Sequence, residues 1–452
     1  MQRKRSSAEQ ATRARQVTVQ LLTSAERDGF FVDHELERVL LREALPRRDR
    51  ALVTMLVNGV TRMRQRLDFE IANYYKKDYE RAPLPLKNIL RTAFYQNEFL
   101  DRVPDYAIVF ESVNLAKKYF GEERGNLVNA ILRERQRRPM TWPPQEALAR
   151  DLDRLAAYLS HPRWLLEKWL SRMPLSEVIA LAEANNRIPA VTLRVVHPER
   201  NAREFGKHLR TWNIPVETLR QAPHFHRLGG GIDINSLAAI KQGLCVVQDI
   251  SAGLAARLMA ARAGEQIYDW CAAPGGKAIL MAESGAAVTA VEIHAKRARL
   301  IEESSAKLGV PVRVLVADAT SFEGEPANGV LVDAPCSGLG VLAKRADLRW
   351  QRKKQDITEL QSLQLRLLEN AARLVKPGGR LVYSTCTIEP EENELVIDEF
   401  LRGHLDFRMR PAGGFVDKSF CDDRGFIKTM PHVHGTDGSF AARLQRASES
   451  DV

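Results

Sequence analysis

The chain has 452 residues, of which 44% are hydrophobic and 27% charged, a globular composition that excludes a disordered or collagen-like protein. At ~150 residues per domain, the length implies about three folding units. Lysine and arginine number 67 against 57 acids, so the net charge is +10, which permits a polyanionic partner without demonstrating one.

Residues 1–140 read as an all-α bundle. ARQVTVQLLTSAE and HELERVLLREAL carry helical apolar stripes, and the next stretch places Leu52, Leu56, Val60, Met63 and Leu67 at three-and-four spacing. Pro83 and Pro85 interrupt the pattern, LKNILRTAFYQNEFL resumes it, and AIVFESVNLAKKYF follows Pro104 and closes at Gly121. The basic cluster Arg133, Arg135, Arg137 and Arg138 ends the bundle, and Pro139, Pro143 and Pro144 mark a boundary.

Residues 148–245 read as a small α/β linking domain. LARDLDRLAAYL and WLLEKWLSRM are helical, AVTLRVV is a strand, REFGKHLRTWN is a helix, and Gly229, Gly230 and Gly231 form a turn. No internal repeat or low-complexity tract is present.

From 246 to 446 the alternation becomes regular. EQIYDW, AVTAVEI, VRVLVADA, GVLVDA and RLVYST are β-branched and apolar, and helical stretches separate them. This pattern implies a Rossmann-like parallel sheet covered on both faces, with its ligands at the carboxyl ends of the strands.

Each strand end carries unusual residues. The first is followed by Cys271, Ala272, Ala273, Pro274, Gly275, Gly276 and Lys277, small enough for a ligand to approach the backbone, although a tight strand-to-helix turn reads the same way. The second ends in Glu292 and the third in Asp318, acids where nucleotide-binding sheets hold ribose; each is equally a helix-capping surface acid. Taken together, the three ends favour a nucleoside-containing cofactor. The fourth ends in Asp333 and Cys336, the fifth in Cys386, and a right-handed crossover puts these two strands side by side. A thiol nucleophile needs activation, because an ordinary thiol is only a few per cent ionised at neutral pH. A helix starting near Pro390 offers a positive field, which Glu389, Glu391, Glu392 and Glu394 oppose, so the sign of the shift stays open.

DWCAAPGGKA, DAPCSGLGVL and YSTCTIEPEENE together resemble the signature motifs of the Nol/Nop/Sun family of RNA cytosine-5 methyltransferases, and the likeness extends over about residues 160–446. The N-terminal text is similar to the NusB-like helical RNA-binding domain, a pairing typical of the bacterial small-subunit rRNA methyltransferase B branch. The resemblance implies S-adenosylmethionine over Cys271 to Lys277, with Glu292 at its ribose, Asp318 at the adenine amine and Asp333 at the cofactor–base junction. It implies Cys386 as the nucleophile that adds to cytosine carbon-6, and Cys336 as the residue that assists product release. Three positions depart from the family pattern. Glu292 stands where many relatives have aspartate, Ala278 where a hydroxyl residue is common, and Ser439 where an aromatic is usual; none removes a reactive group.

The expected partner is RNA, most specifically small-subunit rRNA, methylated by a monomer. Beyond Cys336 run Lys344, Arg345, Arg349, Arg352, Lys353 and Lys354 around Trp350, cations and an aromatic suited to phosphates and base stacking, or else a solvated helix face. Five cysteines without CxxC spacing argue against disulfides and a zinc ribbon, and Cys421 with His432 and His434 lacks a fourth ligand, so no metal is expected. No apolar run reaches the ~20 residues of a membrane helix, and the basic start has no apolar signal core, so a cytoplasmic protein without a membrane partner is expected. A nicotinamide dehydrogenase fits poorly, because CAAPGGK is not its glycine fingerprint and the rim cysteines would be idle. A non-catalytic RNA-binding factor would not need Cys386 or the glycine loop.

Overall fold

A computed structural model describes residues 7–229 and 234–448; the first six residues of the basic start, and Gly230 and Gly231 of the expected turn, lie outside them. The chain forms two compact units. One comprises residues 1–187 with Leu342–Arg352, and the other residues 188–341 with 353–452. This division runs through the expected 148–245 domain.

In the first unit, six helices span Ser7–Asp28, Val32–Arg42, Arg47–Tyr74, Leu84–Phe99, Asp105–Phe120 and Glu122–Arg137. The stripe seen in the sequence makes the core: Leu56, Val60, Met63 and Leu67 are buried with Leu86, Leu90 and Phe94. Each such side chain contributes about 2 kcal/mol by leaving water. Gly121, at φ +84°, ends one helix and starts the next. Four shorter helices follow: Gln145–Leu148, Leu152–Leu159, Arg163–Leu170 and Leu175–Asn186.

The second unit holds two sheets. Strands β1 (Val191–Val195), β2 (Val216–Thr218), β3 (Phe225–Leu228) and β4 (Cys245–Val247) form an antiparallel sheet in the order β2-β3-β1-β4. Strands β5 (Gln266–Trp270), β6 (Ala287–Glu292), β7 (Arg313–Val316), β8 (Ala327–Asp333), β9 (Val375–Thr385), β10 (Phe407–Arg410), β11 (Ile427–Thr429) and β12 (Ser439–Arg446) form the large one. Its order is β10-β12-β9-β8-β5-β6-β7, with β11 on β12. Strands β5 to β9 pair in parallel, as their apolar character implied; β10, β11 and β12 are antiparallel additions.

The chain runs from β5 outward through β6 and β7, then returns to β8 on the other side of β5. That reversal is the switch point at which sheets of this class open a ligand crevice. It sets the loop after β5 beside the loop after β8. Helices cover both faces, one core holding Ile279, Leu331 and Val382, the other Val332, Leu368 and Tyr383.

Candidate active site

The loop after β5 is shaped by its backbone. Cys271 has φ +58° and Gly275 φ +101°, conformations that turn the chain sharply into the helix Gly276–Ala282. A Cβ on Gly275 would press on Ile301, so glycine is required there. The helix start presents Lys277, whose ammonium donates to Asp333 Oδ2 at 2.7 Å. Ser384, the register partner of Asp333 on β9, donates to Oδ1 at 2.8 Å. Burial pulls the Lys277 ammonium down, but the charge and hydrogen bond of Asp333, with Asp269 and Cys386 behind it, raise it overall.

The two motif cysteines meet. Cys336 Sγ and Cys386 Sγ are 3.2 Å apart, and the chain segments bearing them are tied by Ala334 N–H to Ser384 O at 2.9 Å and Gly340 N–H to Cys386 O at 3.1 Å. Cys386 is exposed and Cys336 half-buried. The Cys386 thiol is held below its usual range, first by the hydrogen bond with Cys336 and then by Lys277; depth in the fold, Asp333 and Asp437 push the other way. The Cys336 thiol is held high by that same bond, by burial and by the Cys386 and Glu392 charges. Within the pair, ionisation is favoured at Cys386 and disfavoured at Cys336. Cys271 is pushed up to about 12, by burial first and then by Asp333, and is unsuited to attack.

Glu392 is not the first-turn acid that the sequence implied. Pro390–Glu392 is a single 3-10 turn, and the helix starts at Glu394. Glu392 is buried and accepts from Ser337 N–H at 2.8 Å, Ser337 Oγ and Gln364 Nε2, while Tyr383 OH donates to its carbonyl. It braces the Cys336 loop. Gly340 and Gly438 cross in van der Waals contact; a Cβ on Gly340 would strike Gly438 O. Asp249 holds that C-terminal loop through Thr436 Oγ1 and, at 3.3 Å, Asp437 N–H. Sequence reasoning passed over Asp249 and Asp437 and did not single out Glu392, because their partners are remote in the chain.

Asp269 was also missed. It is fully buried on β5, on the sheet face of Leu331 and Asp333, and neither carboxyl oxygen has a hydrogen-bond partner. Burial and the Asp333 charge push its acidity constant well up, against the Lys277 cation.

The expected cofactor residues share one rim, with differing access. Glu292 is 1% exposed and accepts His294 N–H at 3.1 Å and Ala273 N–H at 3.4 Å, with Arg297 3.6 Å away. A carboxylate has about four acceptor sites, so it can brace the loop and still receive a hydroxyl. Asp318 lies two residues past β7 and is exposed; Thr320 engages only Oδ1, through its N–H at 2.9 Å and its Oγ1 at 2.8 Å. Small residues beside the backbone, an exposed acid and a second acid at adjacent strand ends fit a nucleoside-containing group.

The basic run behaves otherwise. Arg349 has no exposed surface: it donates to Ser160 O at 3.0 Å, Asn186 Oδ1 at 2.7 Å, Asn185 O at 3.1 Å and Leu342 O at 3.2 Å. Burial and Arg62 push it down to about 9. Its expected role as an RNA contact is therefore corrected to a structural one within the first unit. Trp350 donates to Thr61 O at 2.6 Å with Arg64 4.6 Å over its ring, and Arg345 lies over Phe31. Lys344 and Arg352 are half-buried; Lys353 and Lys354 are exposed and belong to the second unit. The signal for this was the apolar spacing of Leu342, Ala346 and Leu348 among the cations.

Comparison with known proteins agrees with this geometry. Residues 256–445 match the family 16S rRNA methyltransferase RsmB/F, residues 12–137 the NusB family, and residues 161–235 the ferredoxin-like domain of RsmF/B-like methyltransferases. A probable ribosomal RNA small subunit methyltransferase B of Bacillus subtilis is 31% identical, over 96% of this chain and 99% of its own. One from Synechocystis sp. is 33% identical with the same coverage. The crystal structure of PH0851 superimposes with a TM-score of 0.78 at 25% identity, covering 95% of this chain and 98% of that one. These matches support rRNA methylation with S-adenosylmethionine as methyl donor, on a helical NusB-like domain, a small ferredoxin-like domain and a mixed-sheet methyltransferase domain. The chain belongs to the ribosomal RNA small subunit methyltransferase B family.

Proposed function

We propose that this protein methylates carbon-5 of a cytosine in small-subunit rRNA through a covalent adduct with Cys386. The observation that carries the reading is the thiol pair, 3.2 Å apart, next to the Lys277–Asp333 ion pair at the switch point. Carbon-5 of cytosine is too weak a nucleophile to be methylated directly. Addition of the Cys386 thiolate to carbon-6 makes the ring enamine-like, which divides one hard step into two easier ones. S-adenosylmethionine, when bound, supplies the methyl group that carbon-5 takes; Cys271 to Lys277, Glu292, Asp318 and Asp333 would hold it.

Asp333 accepts from Lys277 and Ser384, and Lys277 is the cation facing the charge that develops on the ring. Cys336 is the base for the carbon-5 proton. The Cys386 thiolate and its hydrogen bond keep Cys336 protonated, and both are lost when that sulfur bonds carbon-6. Cys336 then gives its own proton to water, takes the carbon-5 proton as thiolate and lets Cys386 leave as thiolate. The target base must be single-stranded or flipped to be reached. We further assign the chain three functional domains, 1–140, 148–245 and 246–446, acting in a monomer.

The test is transfer of labelled methyl to unmodified small-subunit rRNA, with nucleoside analysis. Label recovered as 5-methylcytosine by wild type, and at least about 10³-fold less by Cys386→Ser, is the expected result. Label on another base, or undiminished turnover in Cys386→Ser, would overturn the reading.

A further inference from the structure

We propose that Cys336 and Cys386 are a peroxide-sensitive pair, a modification site at which oxidation closes an intramolecular disulfide and reversibly stops the enzyme. The two sulfurs already lie 3.2 Å apart, so the bond needs about 1.1 Å of closure to reach the ~2.05 Å of a disulfide. Parallel β8 and β9 hold the two segments in register at Asp333 and Ser384. Hydrogen bonds from Ala334 N–H and Gly340 N–H to the Cys386 side of the rim continue the alignment beyond the strands.

The pair also has the division of labour that thiol oxidation requires. Cys386 is exposed, and among the five cysteines only its thiol is held below the usual range; Cys245, Cys271, Cys336 and Cys421 are all pushed up. The Cys386 thiolate attacks one oxygen of hydrogen peroxide, the O–O bond breaks, and a sulfenic acid forms with loss of hydroxide. The Cys336 sulfur then attacks the Cys386 sulfur, the S–O bond breaks, and the hydroxyl leaves with the Cys336 proton as water. Two thiols are oxidised by two electrons and one peroxide is reduced. Without an adjacent thiol, the sulfenic acid would go on to irreversible acids. The second cysteine thus protects a nucleophile that its own reactivity endangers.

The inference rests on the thiol geometry and not on the methyl acceptor, so it is read by mass as well as by activity. The full-length protein is treated with one equivalent of hydrogen peroxide, alkylated and peptide-mapped without reductant. The expected product has lost two hydrogens, carries a Cys336–Cys386 cross-link, has lost methyl transfer in proportion, and recovers both on addition of dithiothreitol. Cys421→Ser should leave the cross-link intact. Cys336→Ala should yield no cross-link and a Cys386 sulfenic acid trapped by dimedone. Wild-type Cys386 passing directly to sulfinic acid, or cross-linking to Cys271 or Cys421 instead, would overturn the proposal. Absence of methyl transfer by the reduced protein, with the cross-link still forming under peroxide, would instead count against the function proposed above.

Discussion

Along the sheet rim the backbone groups the polar side chains. Parallel strands end at a common level, so Asp333, Ser384, Cys336, Cys386 and Lys277 meet although more than a hundred residues separate Lys277 from Cys386. Along the run Lys344 to Lys354 no such frame exists, and each cation takes its own surroundings: Arg349 in the interior, Arg345 over an aromatic ring, Lys353 and Lys354 in solvent. Topology can be argued from a pattern of strands. The environment of a long, flexible side chain cannot, because a guanidinium is equally at home on a phosphate and on a ring of carbonyls.

The contrast predicts different failures on substitution. Arg349→Ala should leave buried carbonyls of Ser160 and Asn185 unpaired and cost about 3 kcal/mol of stability, read as a lower urea midpoint, while RNA affinity of the folded fraction stays within twofold. A large loss of affinity with unchanged stability would return Arg349 to the RNA contacts. Gly340→Ala should displace the Cys336 loop from Cys386 and cost about 10²-fold in methyl transfer, with cofactor binding retained.

The rim can be probed more finely through pH. Iodoacetamide alkylation of Cys386 should rise through a midpoint below the 9.0 of an ordinary thiol, because a lowered acidity constant leaves more thiolate at neutral pH. Lys277→Met removes a cation and should move that midpoint up; Asp333→Asn removes an anion and should move it down. Both moving the same way would break the electrostatic account. The smallest effect belongs to the exposed lysines. The double substitution Lys353→Ala and Lys354→Ala should leave turnover at saturating RNA unchanged and lower the salt slope of binding by about 1.

Much of the fold was legible. The five parallel strands were found because continuous β-branched runs alternate with amphipathic helices, and their order brought the cysteines together as expected. Strands β10, β11 and β12 went unseen because they are polar or short and pair with partners distant in the chain. In the site, residues at strand ends were legible and residues inside elements were not. Asp269 sits within a strand, where an acid reads as facing solvent, and its burial follows only once the helix Gly276–Ala282 covers it. Glu392 looked like one of four interchangeable acids, and only the packing against Ser337 and Gln364 singles it out.

The placement of Arg349 also bears on how the chain is made. Residues 1–187 emerge from a ribosome first and carry the acceptor carbonyls of Ser160 and Asn185, but the cation that satisfies them arrives only with Leu342–Arg352. These two carbonyls therefore wait through the synthesis of more than 150 further residues before the Arg349 guanidinium reaches them. A fragment ending at Arg187 would keep that deficit permanently.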